Sequence, residues 1–293
     1  MTEPRRHLLL VNPSAGGGRA GEMLPRVRFA LSERGIPHRW VLTKGVEHAC
    51  EEALAAARAG TIPVVMSGDG LIGQIGGVLA GGEVPLGVIP GGRGNDFARV
   101  VGIPVEIEAA ADVLAASEVR LIDVGEVNGK RFLCIASCGF DSDANRIANE
   151  ARWVRGRLVY AYAALRALAS WKPARFTLTL DGKVHAFSGY SVAVANSKAY
   201  GGGMFIAPDA ELDDGLVDVV TTAEVGKVRF LINLPKVFDG EHIKNPEVCV
   251  ARATEAWIEA DRPFAVYADG DHIADLPARV SVMPRALRVI CKS

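Results

Sequence analysis

The chain has 293 residues, 49% of them hydrophobic but only 6% aromatic, with 32 glycines and a formal net charge of -1. That length admits one large domain or two ordinary ones, and a charge so near zero gives no polyanion-binding character, so no nucleic-acid partner is expected. Five cysteines (Cys50, Cys134, Cys138, Cys249, Cys291) form no CxxC pair and fit a reducing, cytoplasmic setting better than a disulfide framework. The apolar run in MTEPRRHLLLVNP is too short for a signal peptide. No run of 18 apolar residues exists, so no transmembrane segment is expected and any membrane contact is peripheral.

Over residues 1–122 short apolar runs alternate with helical stretches. Strands are predicted at Leu8–Val11, Trp40–Leu42, Ile62–Met66, Leu86–Ile89 and Val119–Ile122, with alanine-rich helices such as Glu47–Ala59 and Ile107–Ala116 between them. Continuous apolar strands separated by helices indicate a doubly wound parallel α/β sheet. Ligands of such sheets sit outside the carboxyl ends of the strands. The glycine turns Asn12–Gly18, Ser67–Gly70 and Gly91–Gly94 all fall there.

Near Asp123 the pattern changes. Strands are expected at Phe132–Ala136, Phe176–Val184, Tyr190–Ala195, Leu216–Val220, Val248–Ala260, Phe264–Ala268 and Arg279–Met283. Their two-residue alternation and turn spacing point to an antiparallel β-sandwich over 123–283. Helices are expected over about Ala151–Trp171 and Val225–Phe238. The first could touch a bilayer, although a core-packed amphipathic helix is the plainer alternative. A site in the cleft between the two domains is the expectation.

The chemistry concentrates in few places. Asn12-Pro13-Ser14-Ala15-Gly16 can wrap phosphates, or be an ordinary strand-to-helix turn. In Ser67-Gly68-Asp69-Gly70, followed by Leu71, Ile72 and Gly73 on an apolar helix, Asp69 can hold Mg²⁺ against phosphate oxygens or simply cap the helix. Asn95 or Asp96 can cap the helix that follows Gly94. The turn from Pro208 to Asp218 holds Asp209, Asp213, Asp214 and Asp218 besides Glu211; such charges repel unless a hard cation or a basic partner sits among them. Asp269-Gly270-Asp271 offers a general base and a metal partner, or an Asp-Gly hairpin turn.

In this order the segments resemble the diacylglycerol-kinase-like lipid kinases, which include soluble bacterial diacylglycerol kinases and sphingosine and ceramide kinases. The family's NP-x-SG, GGDGT-x-NE and P-x-GT-x-NDFAR elements look like NPSAGG, SGDGLIGQ and PGGRGNDFAR here. Its later GGG-x-x-x-AP-x-A-x-x-DDGLLDV looks like the run from Gly201 to Val219. The resemblance implies ATP and Mg²⁺ as cofactors and a lipid substrate, most readily diacylglycerol, at a membrane surface, with residues 284–293 returning to the first domain. It implies that Asn12, Pro13, Ser14, Ala15, Gly16, Thr43, Ser67–Gly73, Arg93 and Asn95 line ATP. Asp69 and Asp123 would belong to the Mg²⁺ network, and Asp271 or Asp269 would accept the proton. A structural Mg²⁺ would take Asp214 and backbone oxygens of Glu211 and Leu216. The chain departs from the pattern at Ser67, Leu71, Gly73, Gln74, Arg93 and Asp271, the last standing where the family has Glu. Other readings stay open: a sphingosine or ceramide kinase, an NAD-kinase-like enzyme, or a weakly active regulator. A homodimer is compatible with all of them.

Overall fold

The computed structural model describes residues 6–140, 142–144, 147, 165–168 and 171–292. The chain divides into two compact units, 1–124 with 284–293, and 125–283.

The first unit carries a parallel sheet of β1 (His7–Val11), β2 (His38–Leu42), β3 (Ile62–Ser67) and β4 (Gly87–Pro90), in the order β2-β1-β3-β4. β1, β3 and β4 are buried along their whole length, as strands covered on both faces must be. β2 is one edge strand, with Trp40 and Leu42 exposed and the Arg28 guanidinium 3.4 Å from the Trp40 ring centroid. The helices are α1 (Arg19–Glu33), α2 (Val46–Arg58), α3 (Asp69–Leu79), α4 (Asp96–Val100) and α5 (Ile107–Ala116). α2 buries Ala49, Ala53 and Ala56, one face at helical spacing, and ends on Arg58, which complements its dipole. From β1 the chain moves outward to β2, and from β3 it moves the other way to β4. The switch point of the winding therefore lies between β1 and β3. The C-terminal residues add to this unit: Leu86 bridges Val289 in parallel, and Gly81 N–H donates to the Ala286 carbonyl.

The second unit is an antiparallel, sandwich-like sheet. β5 (Val119–Val127) and β15 (Ala278–Ile290) both cross the boundary between the units. The intervening strands are β6 (Lys130–Phe132), β7 (Ile135–Gly139), β8 (Ala174–Leu180), β9 (Lys183–Ala195), β10 (Val217–Ala223), β11 (Val248–Ala253), β12 (Glu255–Ala260), β13 (Ala265–Ala268) and β14 (Asp271–Asp275). β9 organises the sheet. Its first half pairs with β8, and its second half pairs with β7 and with β10. The core is aromatic: Tyr190 stacks on Phe230 at 4.2 Å, and Phe140 meets Phe230 edge-on at 4.8 Å.

Four expected elements come out differently, the first being Phe132–Ala136, which breaks at Leu133 and Cys134 between β6 and β7. The run Phe176–Val184 is two strands, because Asp181 (φ 45°) and Gly182 (φ 82°) make a tight reversal between β8 and β9. Positive φ at both central residues is what a two-residue hairpin turn requires, and Asp-Gly supplies it. Val248–Ala260 breaks at Thr254 into β11 and β12. Only Lys227–Asn233 (α6) of the run Val225–Phe238 is α-helical; a 3-10 turn over Leu234–Phe238 follows, with Pro235 in its first turn. The helix expected over 151–171 lies largely outside the described residues. Among the described residues, no helix is long and apolar enough to cross a membrane.

Candidate active site

Three glycine turns converge at the carboxyl end of the parallel sheet, at its switch point. Asn12, just after β1, donates its Nδ2 to the Ser67 hydroxyl at the end of β3 (3.4 Å) and accepts the Ser14 N–H on Oδ1 (3.1 Å). Gly91, just after β4, donates its N–H to the Ser67 carbonyl at 2.9 Å. The turns touch through bare backbone. A Cβ on Gly16 would lie 2.7 Å from the Gly91 carbonyl oxygen, and one on Gly92 would lie 2.4 Å from Gly68 Cα. Gly16 also needs its left-handed φ of 64°.

Ser67 leads into α3 through Gly68. The first intrahelical bond of α3 runs from Ile72 N–H to the Gly68 carbonyl. The amides of Asp69, Gly70 and Leu71 therefore open the helix and point away from it. Such a helix start, beside glycine turns that let a ligand come close, can receive phosphate oxygens. Arg93 and Arg19 are exposed at two of the turns.

The expected ATP-lining residues divide into two groups. Asn12, Gly16, Gly68, Asp69 and Gly70 are half-buried within the cradle, and Pro13 and Ser14 are exposed beside it. Ala15, Leu71, Ile72 and Gly73 are buried, so the side chains of Ala15, Leu71 and Ile72 face protein. Thr43 is buried and donates its hydroxyl to the Val11 carbonyl at 3.2 Å. Asn95 stands at the N-cap of α4 but makes no side-chain capping bond there. Asp69 supplies one from the neighbouring helix, its Oδ1 accepting the Phe97 N–H at 3.0 Å. Asn95 instead uses its amide on Gly92.

The other carboxylates have partners that the sequence does not announce. Asp123 is fully buried on β5 and accepts the N–H of Arg285 at 2.6 Å, holding that residue at φ 48°. In the second unit Asp269 and Gly270 form the expected Asp-Gly turn, between β13 and β14 (φ 50° and 97°). The Asp269 carboxylate accepts the amides of Leu133 (2.7 Å) and Cys134 (2.9 Å). Asp271 keeps its side chain open to solvent, and partial desolvation pushes its carboxyl above the ordinary carboxylate range.

The acidic turn has a basic partner. Arg252 on β11 lies 3.4 Å from Asp218 Oδ1 and 3.5 Å from Asp214 Oδ2, and donates to the Asp209 carbonyl at 3.1 Å. Burial pushes the Asp218 carboxyl up, and Arg252 opposes that shift. Asp214 Oδ1 accepts the Leu216 N–H, whereas its buried Oδ2 has no hydrogen bond among the described residues. Glu211 is exposed. Among the described residues no group of three or more His, Cys, Asp or Glu side chains is arranged to hold a metal ion. The second unit also holds a narrow cavity of about 60 Å³, walled by Ile206, Val220, Val225, Phe230, Leu234 and Val237.

The parallel α/β unit with its glycine turns, followed by an antiparallel sandwich-like unit, matches the two domains of a kinase family. Residues 6–127 match the diacylglycerol kinase catalytic domain, and residues 134–291 match the YegS C-terminal NAD kinase beta sandwich-like domain. The chain is 37% identical over 300 residues to a diacylglycerol kinase of Mycobacterium tuberculosis H37Rv, covering 98% of this chain and 96% of the relative. It is 28% identical over 293 residues to a diacylglycerol kinase of Bacillus subtilis, with the same coverage. A crystal structure of a diacylglycerol kinase from Bacillus anthracis Sterne shares the fold, with a TM-score of 0.76, 23% identity, and coverage of 100% of this chain and 98% of that one. The chain belongs to the diacylglycerol kinase family of lipid kinases.

Proposed function

We propose that this kinase transfers the γ-phosphate of ATP to the free hydroxyl of diacylglycerol. The observation that carries the reading is the cradle itself: three glycine turns, packed backbone to backbone at Gly16, Gly68, Gly91 and Gly92, beside the amides that open α3. Phosphoryl transfer depends chiefly on positioning and charge stabilisation, and these are what such a cradle offers. The α3 amides would bind and orient the phosphates, with Arg93 adding a positive charge at the rim. Asn12 and Ser67 would hold the first two turns in register.

Magnesium fits the donors present. Asp69 engages one carboxylate oxygen with Phe97, and Mg²⁺ typically takes one or two carboxylates together with phosphate and water. Bound there with nucleotide, Mg²⁺ would neutralise phosphate oxygens. A second, structural Mg²⁺ at the buried Asp214 Oδ2, with the backbone oxygens of Glu211 and Leu216, belongs to the same proposal. Asp271 is the better candidate for taking the hydroxyl proton. Its carboxyl is raised, whereas both Asp269 oxygens already accept backbone amides. In this reading the chain works at a membrane surface without spanning it, its first unit serving ATP and its second the lipid.

The test is product formation from labelled ATP in mixed micelles of diacylglycerol, with sphingosine and ceramide in parallel. Phosphatidic acid as the dominant product is expected. ATP consumption only with another acceptor would overturn the choice of lipid, and an Asp69→Asn variant of unchanged rate would overturn the metal role of Asp69.

A further inference from the structure

We propose that Asn95 is a positioning residue for the nucleotide phosphates: its side-chain amide fixes the Gly92 peptide against the start of α3 and so sets the shape of the cradle. This rests on the ATP reading above.

Asn95 is buried and sits at the N-terminus of α4. Its amide grips one residue from both sides. Oδ1 accepts the Gly92 N–H at 2.8 Å, and Nδ2 donates to the Gly92 carbonyl at 3.2 Å. A carboxylate could not do both, and a hydroxyl is too short to reach both. The amide is not needed as a helix cap, because Asp69 supplies that bond to Phe97. It therefore serves the turn alone.

The turn it grips has no slack on the far side. Gly92 rests on Gly68, where even one added carbon would lie 2.4 Å from Gly68 Cα. Gly68 is the residue before the three open amides of α3. Rotation of the Gly92 peptide would press on Gly68 or leave it, and either would change the aim of those amides. Gly91 is anchored independently through Ser67, so loss of the Asn95 amide would loosen the peptide at Gly92 without detaching the turn.

Asn95 has a second property that must be separated from the first. Its φ is 53°, a left-handed conformation that asparagine and glycine accept and alanine resists. Comparing Asn95→Gly with Asn95→Ala separates the two. Both remove the amide, but only glycine keeps the backbone comfortable. The readouts are calorimetric affinity for Mg-ATP, the melting temperature without ligand, and KM for ATP and for diacylglycerol. A loosened Gly92 peptide must be re-ordered when the phosphates bind, and a cost near the net worth of one such hydrogen bond gives about a tenfold loss of ATP affinity. Expected is that loss in both variants, a higher melting temperature for Asn95→Gly than for Asn95→Ala, and a raised KM for ATP beside an unchanged KM for lipid. If Asn95→Gly restores ATP affinity to that of the native protein, Asn95 is present for its backbone angle alone and the proposal fails. ATP affinity that simply follows melting temperature across the two variants overturns it as well. Native protein that binds no Mg-ATP would instead sink the ATP reading on which it rests.

Discussion

The glycine cradle of the first unit and the acidic turn of the second are built in opposite ways. The cradle is made by leaving side chains out: Gly16, Gly68, Gly91 and Gly92 meet at backbone distance, beside the amides that open α3. The acidic turn is made by putting side chains in, and the half-exposed Arg252 reaches Asp214, Asp218 and the Asp209 carbonyl. A site for a passing anion benefits from rigid dipoles that need no reorganisation when the ligand arrives. A permanent structural cluster can be held by a flexible guanidinium instead.

The largest expected effect breaks the first half of that comparison. Gly92→Ala drives a Cβ into Gly68 Cα, backbone against backbone, where no side chain can swing aside. The cradle must open, and kcat/KM for ATP should fall by at least about 100-fold, or about 3 kcal/mol of transition-state stabilisation. Steady-state kinetics at saturating lipid checks this. A loss below about threefold would mean the turns have slack and the cradle is not preorganised.

Arg252→Ala tests the second half. It leaves the buried Asp218 without its counter-charge. Breaking a buried ion pair costs about 3–5 kcal/mol when both ends are buried; the half-exposed Arg252 reduces the expected loss to about 2 kcal/mol of stability. Thermal unfolding measures it, and Mg²⁺ sharpens it. If the turn accepts a hard cation at Asp214, millimolar Mg²⁺ should restore part of the lost melting temperature. No response to Mg²⁺ would leave Arg252 as the cation of this turn and remove the structural Mg²⁺ from the proposal.

The two regions also differ in how far they can be read from the chain. The glycine turns are legible because repeated glycine at the end of an apolar strand marks a place where backbone must come close to something. The strand-helix alternation then fixes which end of the sheet they occupy. Their mutual contacts are not legible. Nothing near Asp69 in sequence says that it caps a helix 28 residues later, or that Asn95, adjacent to that helix, would leave the capping to it. The break in the expected strand Phe132–Ala136 has the same origin. The amides of Leu133 and Cys134 leave the ladder to bond Asp269, more than 130 residues away. The hairpin at Asp181-Gly182 carries a local signal that the even alternation of residues 176–184 masks. Arg252 is hidden as one charge in an exposed strand, with nothing local to tie it to the acidic turn.

Asp271 brings a smaller, pH-dependent effect. Its folded-state carboxyl is raised by desolvation, so the folded protein favours the protonated form. The stability that this contributes is present below the unfolded value, about 4, and is lost as pH rises through the higher folded value. Catalysis runs the other way. If Asp271 takes the hydroxyl proton, kcat should climb through a value above the ordinary carboxylate range and then level off. Asp271→Asn should lower the plateau and remove that limb of the profile. A limb that survives the substitution would assign the titrating base elsewhere.

The smallest effect comes from a carboxylate that belongs to neither region. Asp181, at the β8–β9 turn, is held chiefly by neutral donors. It accepts the Thr254 hydroxyl at 2.8 Å and the Thr254 and Glu255 amides at 3.1 and 3.0 Å, covering the break between β11 and β12. These bonds, the Thr254 hydroxyl first, hold its carboxyl below the ordinary range. A lowered folded value means the contribution is present above the unfolded value and fades as pH falls through the folded one. Wild type should therefore exceed Asp181→Asn in denaturant stability at pH 7, by an amount kept small by solvent exposure. The difference should vanish on acidification and resist salt, because the main donors are neutral. The Asp214–Arg252 contact, by contrast, should weaken in salt. If both respond to salt alike, the distinction between a carboxylate held by dipoles and one held by a counter-charge does not survive within the second unit.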